Sequence, residues 1–164
     1  MKRLMILLTV LLLASPASAM LAKYYRLRMQ WVADQTLTYD ADARIAIRML
    51  PWKLASGNLS YGTVVTEDLG FSAGETIVTT AEVEGSVIDN TSNLYWGVKG
   101  IFEITADADS TDGTAYLFIE ESDDNSTWPS DQADFDCDED LRLIATLKMS
   151  TDAVDEDRAV NFEF

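Results

Sequence analysis

Asp107, Asp109 and Asp112-Gly113 come closest to the spacing of a metal site, and the chemistry would be calcium binding by hard carboxylate oxygens. Their pattern is D-x-D-x-x-D-G. An EF-hand loop needs D-x-D-x-D-G with a bidentate Glu further on, where this chain has Ile119. The three aspartates stand as calcium candidates in some other loop geometry, against the blander reading of a solvated acidic rim. Asp131, Asp134, Asp136, Asp138 and Asp140 form a second acidic cluster, and Asp152, Asp155, Glu156 and Asp157 a third. The chain has no histidine, which removes the usual general acid–base group near neutral pH and the commonest metal ligand. Glu120 and Glu121 are adjacent on a predicted strand, so they point to opposite faces and cannot flank one glycosidic bond. Serines have no histidine partner, and no glycine-rich loop would cradle a phosphate. Cys137, the single cysteine, lies in the run Asp136-Cys137-Asp138-Glu139-Asp140. It cannot form an intramolecular disulfide, and its acidic neighbours should raise the thiol pKa. No catalytic residue and no cofactor beyond calcium is assigned, and enzyme activity is not expected.

Four tryptophans remain as possible binding groups. Trp31 and Trp96 fall in phase with the apolar faces of their strands and are expected in the core. Trp52 and Trp128 sit beside prolines in apparent turns, and are the two candidates for contact with a ligand such as a carbohydrate. The stretch Ser122-Asp123-Asp124-Asn125-Ser126-Thr127-Trp128 resembles the Ser-x-Asp-x-Gly-x-Thr-Trp hairpin turn of sialidase-type proteins, one residue short and without the glycine. That resemblance implies a turn, not sugar cleavage.

These residues need elements to position them. Of 164 residues, 48% are apolar, enough to fill the core of one domain. Met1 to Ala19 reads as a secretory leader: Lys2 and Arg3, an apolar run from Leu4 to Ala14, a break at Ser15-Pro16, then Ala17-Ser18-Ala19. Its apolar run is short of the ~20 residues that span a bilayer. Met20 could itself be a translation start, in which case the protein would not be exported. The domain is therefore taken as residues 20–164, preceded by a signal-peptide-like helix over 1–19.

Period-two alternation recurs through this body and predicts half-buried strands at 23–32, 43–50, 62–67, 77–83, 95–105, 114–121, 141–149 and 158–164. The first presents Tyr25, Leu27, Met29 and Trp31 on one face, with Arg26, Arg28 and Gln30 on the other. Pro51 should stop the second. The strand from Leu141 is the cleanest, with Leu141, Leu143, Ala145, Leu147 and Met149 on one face. Ser56-Gly57-Asn58, Glu84-Gly85-Ser86, Asp89-Asn90 and Asp112-Gly113 supply turn chemistry. Tyr95 to Glu121 reads as one hairpin with a longer loop, and 34–44 could hold one helical turn. Seven or eight strands so spaced predict an all-β antiparallel sandwich with jelly-roll or immunoglobulin-like connections.

The charge is lopsided, with 28 Asp and Glu against 12 Lys and Arg. Setting aside Lys2 and Arg3 leaves 28 acidic and 10 basic residues, a balance of −18. Such a field repels nucleic acid and anionic membrane surfaces, and favours solubility, cations or basic partners. Six of the ten body cations lie between Lys23 and Lys53, while the C-terminal half is acidic. Copies could pair head to tail through these halves. The plainer reading is two ordinary strands with an Arg-rich solvent face, and it is preferred because surface ion pairs are weak.

Thr111-Asp112-Gly113-Thr114-Ala115-Tyr116-Leu117 runs into Glu120-Glu121-Ser122, followed by Thr127-Trp128-Pro129-Ser130-Asp131, a late strand Leu141 to Leu147, and the ending Asn161-Phe162-Glu163-Phe164. Over about residues 75–164 this pattern resembles small virion structural proteins of tailed bacteriophages and prophages. The resemblance implies a β-sandwich subunit that decorates or joins a capsid or tail in repeated copies, with no functional residues to carry over. The expected function is a non-enzymatic virion component with itself or other virion proteins as partners, and with no membrane span after the leader. The alternative is an exported bacterial binding or surface-matrix module, secreted or periplasmic, dependent on calcium or carbohydrate.

Overall fold

Alternation of apolar and polar side chains does in three dimensions what its period requires, burying one face of each long strand. The computed structural model describes residues 21–33, 37–38, 44–69, 76–77, 81–106, 113–149 and 156–164. Ten strands form two five-stranded antiparallel sheets packed face to face, which is a β-sandwich. The first sheet holds β1 (Tyr24–Ala33), β7 (Ala81–Glu84), β8 (Ile88–Asp89), β10 (Gly113–Ser122) and β11 (Arg142–Met149). Its order is β11-β10-β1-β7, with β8 also on β1. The second holds β3 (Arg44–Ala55), β4 (Asn58–Tyr61), β5 (Val65–Asp68), β9 (Gly97–Ala106) and β12 (Glu156–Glu163), in the order β12-β9-β3-β4, with β5 also on β3. A two-residue ribbon pairs β2 (Leu37–Thr38) with β6 (Thr76–Ile77). The core lies between the sheets, where Tyr25, Leu27, Met29 and Trp31 of β1 meet Ile45, Ile47 and Met49 of β3 and Phe102 and Ile104 of β9.

Three expectations change. The eight predicted strands become ten in the sheets, because β4 and β8 are too short to alternate visibly. Pro51 does not end its strand; β3 continues to Ala55. On that edge β3 pairs with β5 through Met49 and with β4 from Trp52, so Pro51 falls in the gap between them and no ladder donor is lost. Its carbonyl still accepts from Gly62 N at 2.8 Å. Tyr95 to Glu121 is not a hairpin, since β9 belongs to the second sheet and β10 to the first. Alternation marks each strand and is blind to which sheet receives it. In 34–44, the described residues Leu37–Thr38 and Arg44 are strand, and the others, where the sequence allows a helical turn, lie outside the described residues.

A fourth difference is local. The β10–β11 register shifts so that Leu117 faces Ala145 while Phe118 faces Leu143, a bulge that reverses the phase of β11. Ala145, Leu147 and Met149 stay buried, but Leu143 turns to solvent. The β3–β4 hairpin turns at Ser56 and Gly57, with φ of 53° and 80°. Both central residues in the left-handed region is the tight-hairpin geometry that matches strand twist. The leader, Met1 to Ala19, lies outside the described residues. Among the described residues no helix is long and apolar enough to cross a membrane.

Candidate functional site

The outward face of β1 should meet water, and instead Arg26 and Arg28 lie beneath the long β10–β11 connection. That connection contains a 3-10 turn, Pro129–Asp131, and a one-turn helix, α1 (Cys137–Asp140). Arg26 Nε donates to Glu120 Oε2 at 2.6 Å, and its NH2 group to Ser130 Oγ at 2.8 Å. Its NH1 group pairs with Glu84. Arg28 reaches Glu84 Oε2 at 2.7 Å and lies 3.5 Å from Glu120 Oε2. The guanidinium of Arg26 stacks 4.2 Å from the Trp128 ring centre, and that of Arg28 lies 5.2 Å from Phe135. Glu120 is 0% exposed. Burial pushes its carboxyl up, but hydrogen bonds from Arg26 and Ser130 and the Arg26 charge outweigh that, holding it below the usual carboxylate range. The network clamps the connection onto the sheet. Every strong acceptor in it is engaged, so it is architecture before it is chemistry.

Cys137, the first residue of α1 in the same connection, is buried. Its thiol is pushed up to about 12, first by burial, then by the charge and hydrogen bond of Glu82, with Arg28 opposing and Asp136 adding. The acidic neighbours give the expected direction, but burial leads. The unfolded thiol ionises from its ordinary value of 9.0 while the folded one keeps its proton to about 12, so folding stability falls as pH rises through that window. Tyr25 adds to the loss, being pushed up from 10.0 to about 12 by burial and then by Tyr95. Thermal melts followed by circular dichroism should show the melting temperature falling across this alkaline limb, and Cys137→Ala should flatten the slope. An unchanged slope in that variant would place the thiol in water.

The outer face of the second sheet is open. There β3 turns Arg48, Leu50, Trp52 and Leu54 outward, opposite the buried Ile45, Ile47 and Met49. Across the β3–β4 hairpin, Trp52 pairs with Tyr61 and Leu54 with Leu59. Leu54, Leu59, Tyr61 and Val64 are 43–57% exposed. The strip continues into a groove of ≈ 340 Å³ bounded by Arg48, Leu50, Val64, Lys99, Ile101 and Asn161. A smaller cleft of ≈ 240 Å³ at one end of the sandwich includes Tyr25, Asn90 and Tyr95. The Asn90 amide is already spent on Ala22 and Tyr95, which makes it a loop clamp.

The structure separates the sequence candidates. Asp107, Asp109 and Asp112 lie outside the described residues, as do Asp152 and Asp155 of the third acidic cluster. Among the described residues no three acidic or sulfur ligands converge on a metal position. Trp52 sits within β3 rather than in a turn, partly buried on the open face, its ring lying against Gly97. Trp128 does precede the turn at Pro129, but it is 7% exposed and covered by Arg26. Trp31 is in the core, and Trp96 is only partly buried. The sialidase-like stretch is a turn organised by Asp124, which accepts from Ser126 N and Thr127 N at 2.9 and 2.8 Å, with Asn125 at φ 60°. Sequence reasoning missed both the buried Arg26–Glu120 network and the apolar strip. A signal for the strip was present in the unbroken run Met49-Leu50-Pro51-Trp52, which is apolar on both faces. No protein-family model, curated protein or solved structure matches the chain.

Proposed function

We propose that the chain is a non-enzymatic structural subunit of a tailed-phage particle, a capsid-decorating or tail-associated β-sandwich of jelly-roll or immunoglobulin-like kind that assembles through its surface. The observation that carries this reading is the exposed apolar strip Leu54–Leu59–Tyr61–Val64 on the open sheet. Contiguous apolar surface on an otherwise highly charged protein is the signature of an interaction face. The turn and strand pattern over 75–164 supplies the phage context. Fractionation of a producing culture, with intact mass of the recovered chain, tests it. Co-sedimentation with particles is expected. Recovery only as free protein in periplasm or medium would overturn it.

A second reading, an exported carbohydrate-binding module, is favoured by one feature. Trp52 and Tyr61 stand side by side on the same open face, as sugar-stacking aromatics do. The aliphatic majority of the strip suits a protein partner better, since Leu and Val offer a sugar no stacking surface. The leader and the calcium candidates Asp107, Asp109 and Asp112 belong to this second reading.

A further inference from the structure

We propose that the open face of the second sheet docks onto the acidic connection of a second copy, so that subunits add head to tail. This rests on the assembly reading above and names its partner. The two surfaces lie on opposite outer faces of the sandwich: the strip on the second sheet, the connection over the outward Arg26 and Glu120 of the first. Their chemistry is complementary. Residues 123–141 hold eight exposed carboxylates and no Lys or Arg. In the groove beside the strip stand Arg48 and Lys99, two of the few cations of a chain whose body carries −18. Arg48 is bridged to Glu103 at 2.6 Å and Lys99 to Glu163 at 3.7 Å. These paired charges cancel, where the connection carries eight carboxylates and no cation. Another acidic surface is repelled least there, and approaching carboxylates find Arg48 and Lys99 about half exposed.

The receiving face has an apolar contact to offer as well. The bulge that turns Leu143 outward places it three residues beyond α1, at 49% exposure. A face that binds a different face of its own copy makes a heterologous contact, which propagates unless rotation closes it. Repeated addition of this kind suits a decorating or tail-associated subunit.

Two double variants at exposed positions test it: Leu59→Asp with Tyr61→Asp on the strip, and Asp138→Lys with Glu139→Lys on the connection. In sedimentation velocity the full chain should grow in mass with concentration, and each variant should associate at least about tenfold more weakly, as loss of a central contact does. An equimolar mixture of the two should give a 1:1 complex that grows no further, because one intact strip then meets one intact connection. Formation of that complex also shows that both variants are folded, and Leu54→Lys repeats the strip test at a second position. A full chain that stays monomeric, or a mixture that forms no complex, overturns the docking. Strip-dependent flotation of a monomeric chain with phosphatidylcholine vesicles overturns it in favour of a lipid surface. A monomeric chain that still co-sediments with phage particles overturns the self-docking alone. Self-association of the purified chain without particle association overturns the particle reading alone.

Discussion

Arg26→Met is expected to lower stability by about 3–5 kcal/mol, a large share of the 5–15 kcal/mol that holds an ordinary domain folded. The cost comes from what remains behind. Glu120 is fully buried, and without Arg26 it is left with Ser130, whose N–H lies at 2.8 Å, and the distant Arg28 group at 3.5 Å. Glu120→Gln should cost less, because Arg26 retains Glu84 and Ser130. Replacing both charges, as Arg26→Met with Glu120→Leu, should recover part of the loss, since a buried pair exchanged for apolar groups is often near neutral. Urea unfolding of the three variants measures this directly. The acid limb gives an independent check. The folded Glu120 carboxyl sits below its ordinary range, so its contribution is complete above that range and fades as pH falls through the lowered value. Glu120→Gln should therefore lose less stability than the unaltered chain on acidification. A cost under about 1 kcal/mol for Arg26→Met would mean that water reaches the pair and screens it.

This network also marks where sequence reading ran out. The inward residues of β1 were legible, because Tyr25, Leu27, Met29 and Trp31 repeat with a period of two and all four are buried. The intervening Arg26 and Arg28 carry the same alternation, and alternation says only that they face away from the core. Whether water or a long connection covers that face depends on where residues 123–141 fold back, and no local pattern encodes this. The same limit explains the misread hairpin from Tyr95 to Glu121. Two good strands joined by turn residues can pair with each other or arch between sheets, and the loop chemistry serves both. The bulge at Ile144 is a third case, since a single extra residue shifted Leu143 outward without changing its apolar identity. The strip was hidden for a different reason. Pro51 points to a turn at Trp52, and only the split of β3 between β5 and β4 shows that a strand can pass through it.

Trp31→Ala should cost about 3–5 kcal/mol, whereas Trp52→Ala should cost well under half of that and act instead on association. Trp31 is 0% exposed, and its cross-strand neighbours are Ala115 on β10 and Ala81 on β7. Removing the indole from between the sheets leaves a cavity, whose cost adds to the lost burial of the ring. Trp31→Phe separates shape from polarity. The indole N–H of Trp31 has no partner among the described residues, and leaving a buried donor unpaired costs about 1–3 kcal/mol. Removing it should offset part of the lost volume, so the Phe variant should fall well short of the Ala variant in urea unfolding. Equal losses would mean that the N–H is satisfied in solution. Trp52 is only partly buried, beside Tyr61 on the open sheet, although its indole N–H too is buried with no partner among the described residues. A stability cost as large as that of Trp31→Ala would make Trp52 a core residue and remove it from the docking face. A small stability cost with weakened self-association is the result that places it there.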